Sequence, residues 1–219
     1  MSTADLVLRV GAAGVLGYLF GSLPSGVIVS RVFGRTDPRA HGSGKTGATN
    51  VLRTLGPIPA LLVALLDGAK GAAAILLVRY VILPAGVAHT SVDVQGYAEG
   101  LAGLAALLGH NYSLFIGFKG GRGVMTGIGG LLVVSPIAAL VGLVCAVIPI
   151  ALTRYVSLGS ITGAAASIVT AAVLIPSGRT SVPHFIYILI GALFIIAAHA
   201  DNIQRLLHGT ERKLGQPTA

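Results

Sequence analysis

The sequence predicts an all-α, polytopic membrane protein: seven transmembrane helices joined by glycine-rich cytoplasmic motif loops. Three observations predict it. The 219 residues are 54% hydrophobic and only 10% charged, with mean hydropathy +0.86. Soluble domains carry about 25% charged residues, so this chain lacks the charge to cover a water-facing surface. Apolar runs near the roughly 20 residues needed to cross a bilayer recur along the whole length. The basic residues crowd some connecting segments and avoid others, the asymmetry that orients membrane proteins.

The first apolar segment, residues 6–33, is too long for a signal peptide and lacks a small-residue cleavage site after a short core. Further segments follow at 57–83, 97–117, 123–136, 137–153, 157–176 and 183–200. The stretch 123–153 reads as one long helix or as two short ones turning at Ser135-Pro136. Charge separates the two readings. Arg31, Arg35, Arg39, Lys45 and Arg53 flank the first loop, Lys119 and Arg122 sit in another, Arg154 in a third, and Arg205, Arg212 and Lys213 in the tail. The loops around Pro84–Gln95 and Ser177–Val182 hold only Arg179. One long helix would put Arg154 across the bilayer from Lys119, whereas a hairpin keeps every basic loop on one side. The expected topology is therefore seven spans, with the N-terminus outside and the C-terminus and motif loops cytoplasmic. It forms one membrane domain over 1–200 and a cytoplasmic tail over 201–219, without an internal repeat.

The net charge of +8 and pI near 10.2 fit basic loops beside anionic lipid, not a nucleic-acid partner. Cys145 stands alone in an apolar run, so neither an intrachain disulfide nor a cysteine metal site is expected. No metal-ligand cluster, cofactor or obligate protein partner is indicated.

Four polar segments carry the candidate chemistry. In His41-Gly42-Ser43-Gly44-Lys45-Thr46-Gly47-Ala48-Thr49-Asn50, followed by Arg53, three glycines permit a turn of positive φ whose amides form an anion-binding nest. Ser43, Gly44, Thr49, Asn50 and Arg53 are the candidate phosphate ligands. Gly44-Lys45-Thr46 imitates a Walker A string, but Arg39 stands where that motif needs glycine. In Lys119-Gly120-Gly121-Arg122-Gly123-Val124, a glycine turn feeds a helix start. Two cations there oppose the helix dipole unless an anion lies between them. Lys119, Gly120, Gly121 and Arg122 are therefore candidates. In Arg154-Tyr155-Val156-Ser157-Leu158-Gly159-Ser160, Ser157 reads as a helix N-cap and Ser160 as a site residue. In His199-Ala200-Asp201-Asn202, His199 and Asn202 share a face. Asp67 and Lys70 form an (i, i+3) pair expected to be structural, and His110-Asn111 is expected to face the same site.

Taken in order, these strings resemble the PlsY-type glycerol-3-phosphate acyltransferases, an acyl-phosphate-dependent family. Gly21-Ser22-Leu23-Pro24-Ser25-Gly26 and the tail Asn202-Ile203-Gln204-Arg205-Leu206-Leu207-His208-Gly209-Thr210-Glu211 extend the likeness over about residues 17–215. Three positions depart from the family pattern. Arg122 stands for the usual lysine, Lys45 for a frequent asparagine, and Tyr112-Ser113 for an aromatic-proline pair. The resemblance implies a seven-helix bundle that moves an acyl group from acyl phosphate to the 1-hydroxyl of glycerol 3-phosphate. The products are lysophosphatidic acid and phosphate, and acyl-CoA is not used.

The residues agree in what they lack. No His is followed five residues later by Asp, no Ser sits in a G-x-S-x-G elbow, and Cys145 has no visible activating partner. Phosphate is a good leaving group, so positioning and charge neutralisation are enough without a covalent acyl-enzyme. Arg122, Ser160, His199 and Asn202 are the catalytic candidates, and the acyl chain is expected in an apolar cleft open to lipid. The rival reading, a transporter for a small phosphorylated anion, predicts polar groups at the bilayer midplane and paired repeats.

Overall fold

The structure, a computed structural model, describes residues 2–34, 36–83 and 93–216. Arg35 and most of the loop opened by Pro84 lie outside the described residues. Every regular element among the described residues is helical.

The expected first helix is two. α1 (Thr3–Ser22) and α2 (Ser25–Gly34) are separated at Leu23-Pro24. Pro24 has no N–H to donate and drives Leu23 out of the helical region, to ψ 118°. The freed Leu23 carbonyl accepts from Lys70 Nζ at 3.0 Å. Ser25, just past the break, donates its hydroxyl to Asp67 Oδ1 at 2.8 Å, and Lys70 lies 2.9 Å from the same oxygen. An unpaired charge at this depth costs about 2.5–3.5 kcal/mol. The broken helix thus supplies partners that let α4 (Pro57–Leu77) carry two ionic groups, and the expected structural ion pair is present.

A short helix, α3 (Ala48–Leu55), occupies the first polar loop. α5 (Val94–Asn111) stops six residues before the predicted segment end, where Tyr112 to Phe118 form a turn. α6 (Val124–Val134) and α7 (Pro136–Thr153) meet at Ser135, so the hairpin chosen from charge is present. α8 (Val156–Leu174) follows, then α9 (Val182–Ala197) and α10 (Ala200–Leu207), bent by 55°.

The chain is a multi-pass integral membrane protein. Among the described residues, four helical stretches are long and apolar enough to cross a membrane: α1 with α2, α4 with its terminal π-turn, α7 and α8. The bent α9–α10 pair makes a fifth if counted as one span. α6 is shorter; at 1.5 Å per residue it covers about half of a 30 Å hydrocarbon core.

Lipid gives little hydrophobic drive for helix association, so small residues must bring backbones together. A Cβ at Gly21 of α1 would overlap the Ala106 carbonyl of α5, and one at Gly129 of α6 would overlap the Gly68 carbonyl of α4. Ile75, Leu131, Ala138, Tyr187 and Ile188 form the central apolar cluster.

Long-range contacts define two poles. At one, Arg9 donates to the Ile82 carbonyl at 2.7 Å, Glu99 binds Arg79 and His184, and Ser135 meets Thr180 at 3.0 Å. At the other, the loops after α2, α5 and α7 converge with α10 and the tail.

Candidate active site

The first loop is shaped by one side chain. Asn50, 2% exposed, donates Nδ2 to the carbonyls of Pro38 (2.7 Å), His41 (3.1 Å) and Lys45 (2.9 Å). Its Oδ1 accepts from the Ser43 amide at 3.0 Å. The geometry corrects an expectation: Asn50 has no N–H left for phosphate and works as the frame of the loop. Gly44, at φ 67°, also spends its amide inside the loop, on His41 O at 3.1 Å. Ser43, Lys45 and Thr49 line the cavity beneath. α3 starts at Gly47 without a side-chain cap, leaving its first amides unbonded within the helix.

The glycine turn divides its expected duties. Gly120 and Gly121 give their amides to Asn111 O (3.0 Å) and His110 O (3.1 Å), and a Cβ on either would overlap His110. They cap α5 instead of cradling an anion. Lys119 is exposed and does not line the cavity. Arg122 does line it, donating Nε to Ala198 O at 3.1 Å and approaching Asp201 Oδ2 at 2.6 Å. Gly123, at φ 82°, turns the chain into α6 without a capping side chain. Gly123, Val124 and Met125, at the uncapped start of α6, line the cavity beside Arg122.

The third wall joins α8, the α9–α10 bend and the tail. Ser157 is not the expected N-cap. It donates its hydroxyl to Glu211 Oε1 at 2.8 Å, and Asn202 Nδ2 donates to the same oxygen at 2.7 Å. Arg205 Nε reaches Glu211 Oε2 at 2.8 Å. Ser160 returns its hydroxyl to Val156 O at 3.0 Å while lining the cavity. His199 is 4% exposed and bonds through Nδ1 to Ile195 O at 2.8 Å. A carbonyl only accepts, so Nδ1 carries the proton, and whenever the ring is neutral Nε2 is an acceptor.

The cavity has a volume of about 500 Å³. Lys45, Arg53, Arg122, Arg205 and Arg212 face it with Asp67, Asp201 and Glu211, an excess of two positive charges. Arg53 Nε is buried without a partner among the described residues. Burial, with Arg212, Arg122 and Arg205 close by, lowers the Arg53 pKa from its ordinary value, against the pull of Glu211. Burial pushes Asp201 up, but Arg122 and Arg205 hold its carboxyl below the usual range. An anion entering here relieves guanidinium repulsion and gains charge-assisted bonds. His110, whose Nδ1 lies 3.4 Å from Asp67 Oδ1, closes the floor. Val124, Ile128, Leu143, Ala146 and Ser160 are shared with an apolar slot of about 70 Å³ between α6, α7, α8 and α9.

The cavity thus gathers Ser43, Thr49, Asn50, Arg53, Arg122, Ser160, His199 and Asn202, while Gly44, Lys119, Gly120 and Gly121 lie outside its lining. Asp201, Arg205, Glu211 and Arg212 line the cavity as well, although none of them is among the site residues expected from the sequence. The available signal was a pair of acids, Asp201 and Glu211, in an otherwise basic tail that also carries Asn202 and Arg205.

Comparisons with known proteins bear on this arrangement. The sequence model of the family described as "Glycerol-3-phosphate acyltransferase" matches residues 12–209. Glycerol-3-phosphate acyltransferase 3 of Dehalococcoides mccartyi strain CBDB1 is 44% identical over 99% of both chains. A glycerol-3-phosphate acyltransferase of Thermus thermophilus is 44% identical, covering 92% of this chain and 94% of its own. Among solved structures, the integral membrane glycerol 3-phosphate acyltransferase PlsY in its glycerol 3-phosphate form superposes with TM-score 0.80 at 35% identity. That match covers 94% of this chain and 96% of PlsY. The lysophosphatidic acid form of PlsY gives TM-score 0.78 at 33% identity.

Proposed function

The chain belongs to the glycerol-3-phosphate acyltransferase family, and from that premise we propose that its donor is an acyl phosphate. Its products are then lysophosphatidic acid and inorganic phosphate, the first step of phospholipid synthesis. The observation that carries this reading is one water-open cavity with an unneutralised cationic lining, continuous with an apolar slot. An acyl phosphate has those two halves: an anionic head and an aliphatic tail. The acceptor, glycerol 3-phosphate, brings the second phosphate.

In this reading Arg122 and the free amides at the start of α6 hold one phosphate. Arg53, Ser43 and Thr49, with the first amides of α3, hold the other. Asn50 keeps the loop in shape. The acyl carbonyl lies at Ser160, where cavity and slot meet, and the chain enters the slot between α7 and α8. His199 Nε2 accepts the hydrogen bond of the attacking 1-hydroxyl. The hydroxyl oxygen bonds to the acyl carbon, the bond from that carbon to the phosphate oxygen breaks, and the proton leaves on inorganic phosphate. The rate gain comes from alignment and charge neutralisation of two anions that would otherwise repel.

Topology follows the same reading. Eleven of the fifteen Lys and Arg side chains lie in the loops and tail of the cavity pole or at their edges. We therefore assign that pole to the cytoplasm, with seven passes and the N-terminus outside.

The test is an assay of purified protein with palmitoyl phosphate and glycerol 3-phosphate, beside palmitoyl-CoA. Lysophosphatidic acid formed from palmitoyl phosphate alone is the expected result. Product from palmitoyl-CoA alone would overturn the donor assignment.

A further inference from the structure

The two proposed phosphate cradles lie on separate loops, one after α2 and one after α5, and a single side chain joins those loops. Arg39 Nη1 donates to Ile116 O at 2.7 Å. Among the described residues, no other side-chain hydrogen bond crosses from residues 36–55 to residues 112–123. Asp37 aims the guanidinium at that carbonyl. Arg39 Nε and Nη2 donate to the Asp37 carboxylate at 3.0 and 2.7 Å. The same carboxylate accepts the Arg39 amide at 2.9 Å and so caps the short 3-10 helix Pro38–Ala40. A guanidinium is a rigid fork, so two donors spent on Asp37 leave Nη1 pointing in one direction.

Both ends of this link are fixed. On the first loop, Asn50 Nδ2 holds the carbonyl of Pro38, next to Arg39, together with those of His41 and Lys45. On the second, Ser113 is 2% exposed and donates its hydroxyl to Ser22 O at 2.6 Å. Tyr18 donates to Tyr112 O at 2.8 Å, and the Phe118 amide returns to Ser113 O at 2.8 Å. The Ile116 carbonyl therefore sits on a turn anchored to α1, and that turn runs on through Gly120 and Gly121 to Arg122. None of Asp37, Arg39 and Ile116 lines the cavity. The Arg39 and Asp37 side chains are 26% and 28% exposed, and a partly exposed ion pair adds little to stability. What this pair supplies is a set distance between two loops.

Resting on the acyltransferase reading above, we propose that Arg39 is a positioning residue for acyl transfer: braced by Asp37 and hooked to Ile116 O, it sets the spacing of the two phosphate cradles. Transfer between two bound anions depends on that spacing, because each substrate is gripped by its phosphate while the bond forms elsewhere, between the 1-hydroxyl and the acyl carbon. A misplacement of about 1 Å costs about 100-fold in rate even when it originates away from the reacting atoms. Each cradle keeps its own ligands when Arg39 is removed, so binding of either substrate alone survives and only their alignment is lost.

The experiment measures kcat and both KM values, for palmitoyl phosphate and glycerol 3-phosphate, with thermal unfolding in detergent alongside. It uses the full chain and three variants: Arg39→Ala, Arg39→Lys and Asp37→Asn. Arg39→Ala should lower kcat by about 10- to 100-fold, with each KM within about threefold of the unaltered value. Its melting temperature should stay within about 3 °C, as befits a partly exposed pair. Arg39→Lys should recover part of the lost kcat, since an ammonium reaches the carbonyl without the fork that aims it. Asp37→Asn keeps an acceptor for the cap and loses only the charged brace, so its fall should be the smallest. An unchanged kcat in Arg39→Ala would overturn the proposal. So would a rise in one KM alone, which would assign Arg39 to a single cradle, or a loss of activity that merely follows loss of folded protein. Failure of the unaltered protein to use palmitoyl phosphate would bring down the acyl-phosphate reading and this proposal together, a result distinct from a variant that turns over normally.

Discussion

Two carboxylates are buried at opposite poles of this bundle, and their surroundings differ in one respect. Glu99, 1% exposed, accepts from Arg79 at 2.9 and 2.6 Å, from Gln95 at 3.0 Å and meets His184 at 3.0 Å. Every group in that cluster is spent on another, and the cluster borders neither cavity. Glu211 is as well bonded, yet Asn202 and Arg53 beside it keep buried polar atoms, Oδ1 and Nε, without partners among the described residues. Burying an unpaired polar atom costs about 1–3 kcal/mol. The far-pole cluster avoids that cost, whereas the cavity pole carries it. A saturated polar cluster holds helices together; in the reading proposed above, the unsaturated one is where the substrates bind.

Mutations at the two poles should have opposite consequences. The largest effect belongs to Arg122→Ala, which removes a cation from the unsaturated pole. It should lower kcat/KM by about 100- to 1,000-fold with folding and membrane insertion retained, as loss of one preorganised charge donor commonly does. Near-normal turnover would show that Arg122 is not the phosphate ligand. Next comes Glu99→Ala, which strands Arg79 and His184. Since Arg79 is about a quarter exposed, the loss of stability should be about 2–3 kcal/mol, below the range for fully buried pairs. Thermal unfolding in detergent would record it, and kcat/KM of the folded fraction should stay within about twofold. A collapse of activity without loss of stability would place function at the far pole as well.

A smaller effect concerns pH. Burial pushes Glu211 up, but bonds from Asn202, Ser157 and Arg205 hold its carboxyl below the ordinary value of 4.5. A depressed carboxylate contributes stability above its unfolded pKa and loses it as pH falls through the folded one. The melting temperature should therefore drop more steeply below about pH 4.5 in the unaltered protein than in Glu211→Gln. Equal slopes would mean that the tail carboxylate adds nothing. Smallest of all, Lys119→Ala should change kcat/KM by no more than about twofold, because the side chain lies outside the cavity lining. A loss of tenfold or more would bring Lys119 into the site.

Much of the scaffold was legible in the chain. Pro136 marks the turn after Ser135, and loop charge chose the hairpin over a single long helix. Pro24 announced a break in the first segment that the apolar run disguised, because hydropathy averages over a proline. Of the site, the convergence of Ser43, Arg53, Arg122, His199 and Asn202 was anticipated from residue type and loop position. The roles of Asn50, Gly120 and Gly121 were not. Their donors look free in a linear sequence, but Pro38, His41, Lys45, His110 and Asn111 consume them.

By itself, then, the sequence determined the solvent, the helical segments and the pole where anions would gather. Composition, hydropathy and loop charge act locally and survive projection onto one dimension. Tertiary structure alone decided which donors and acceptors remain unspent. Each polar atom bonds to whatever packing brings within about 3 Å, and for Asn202 that partner, Glu211, arrives only when the tail folds back across α8.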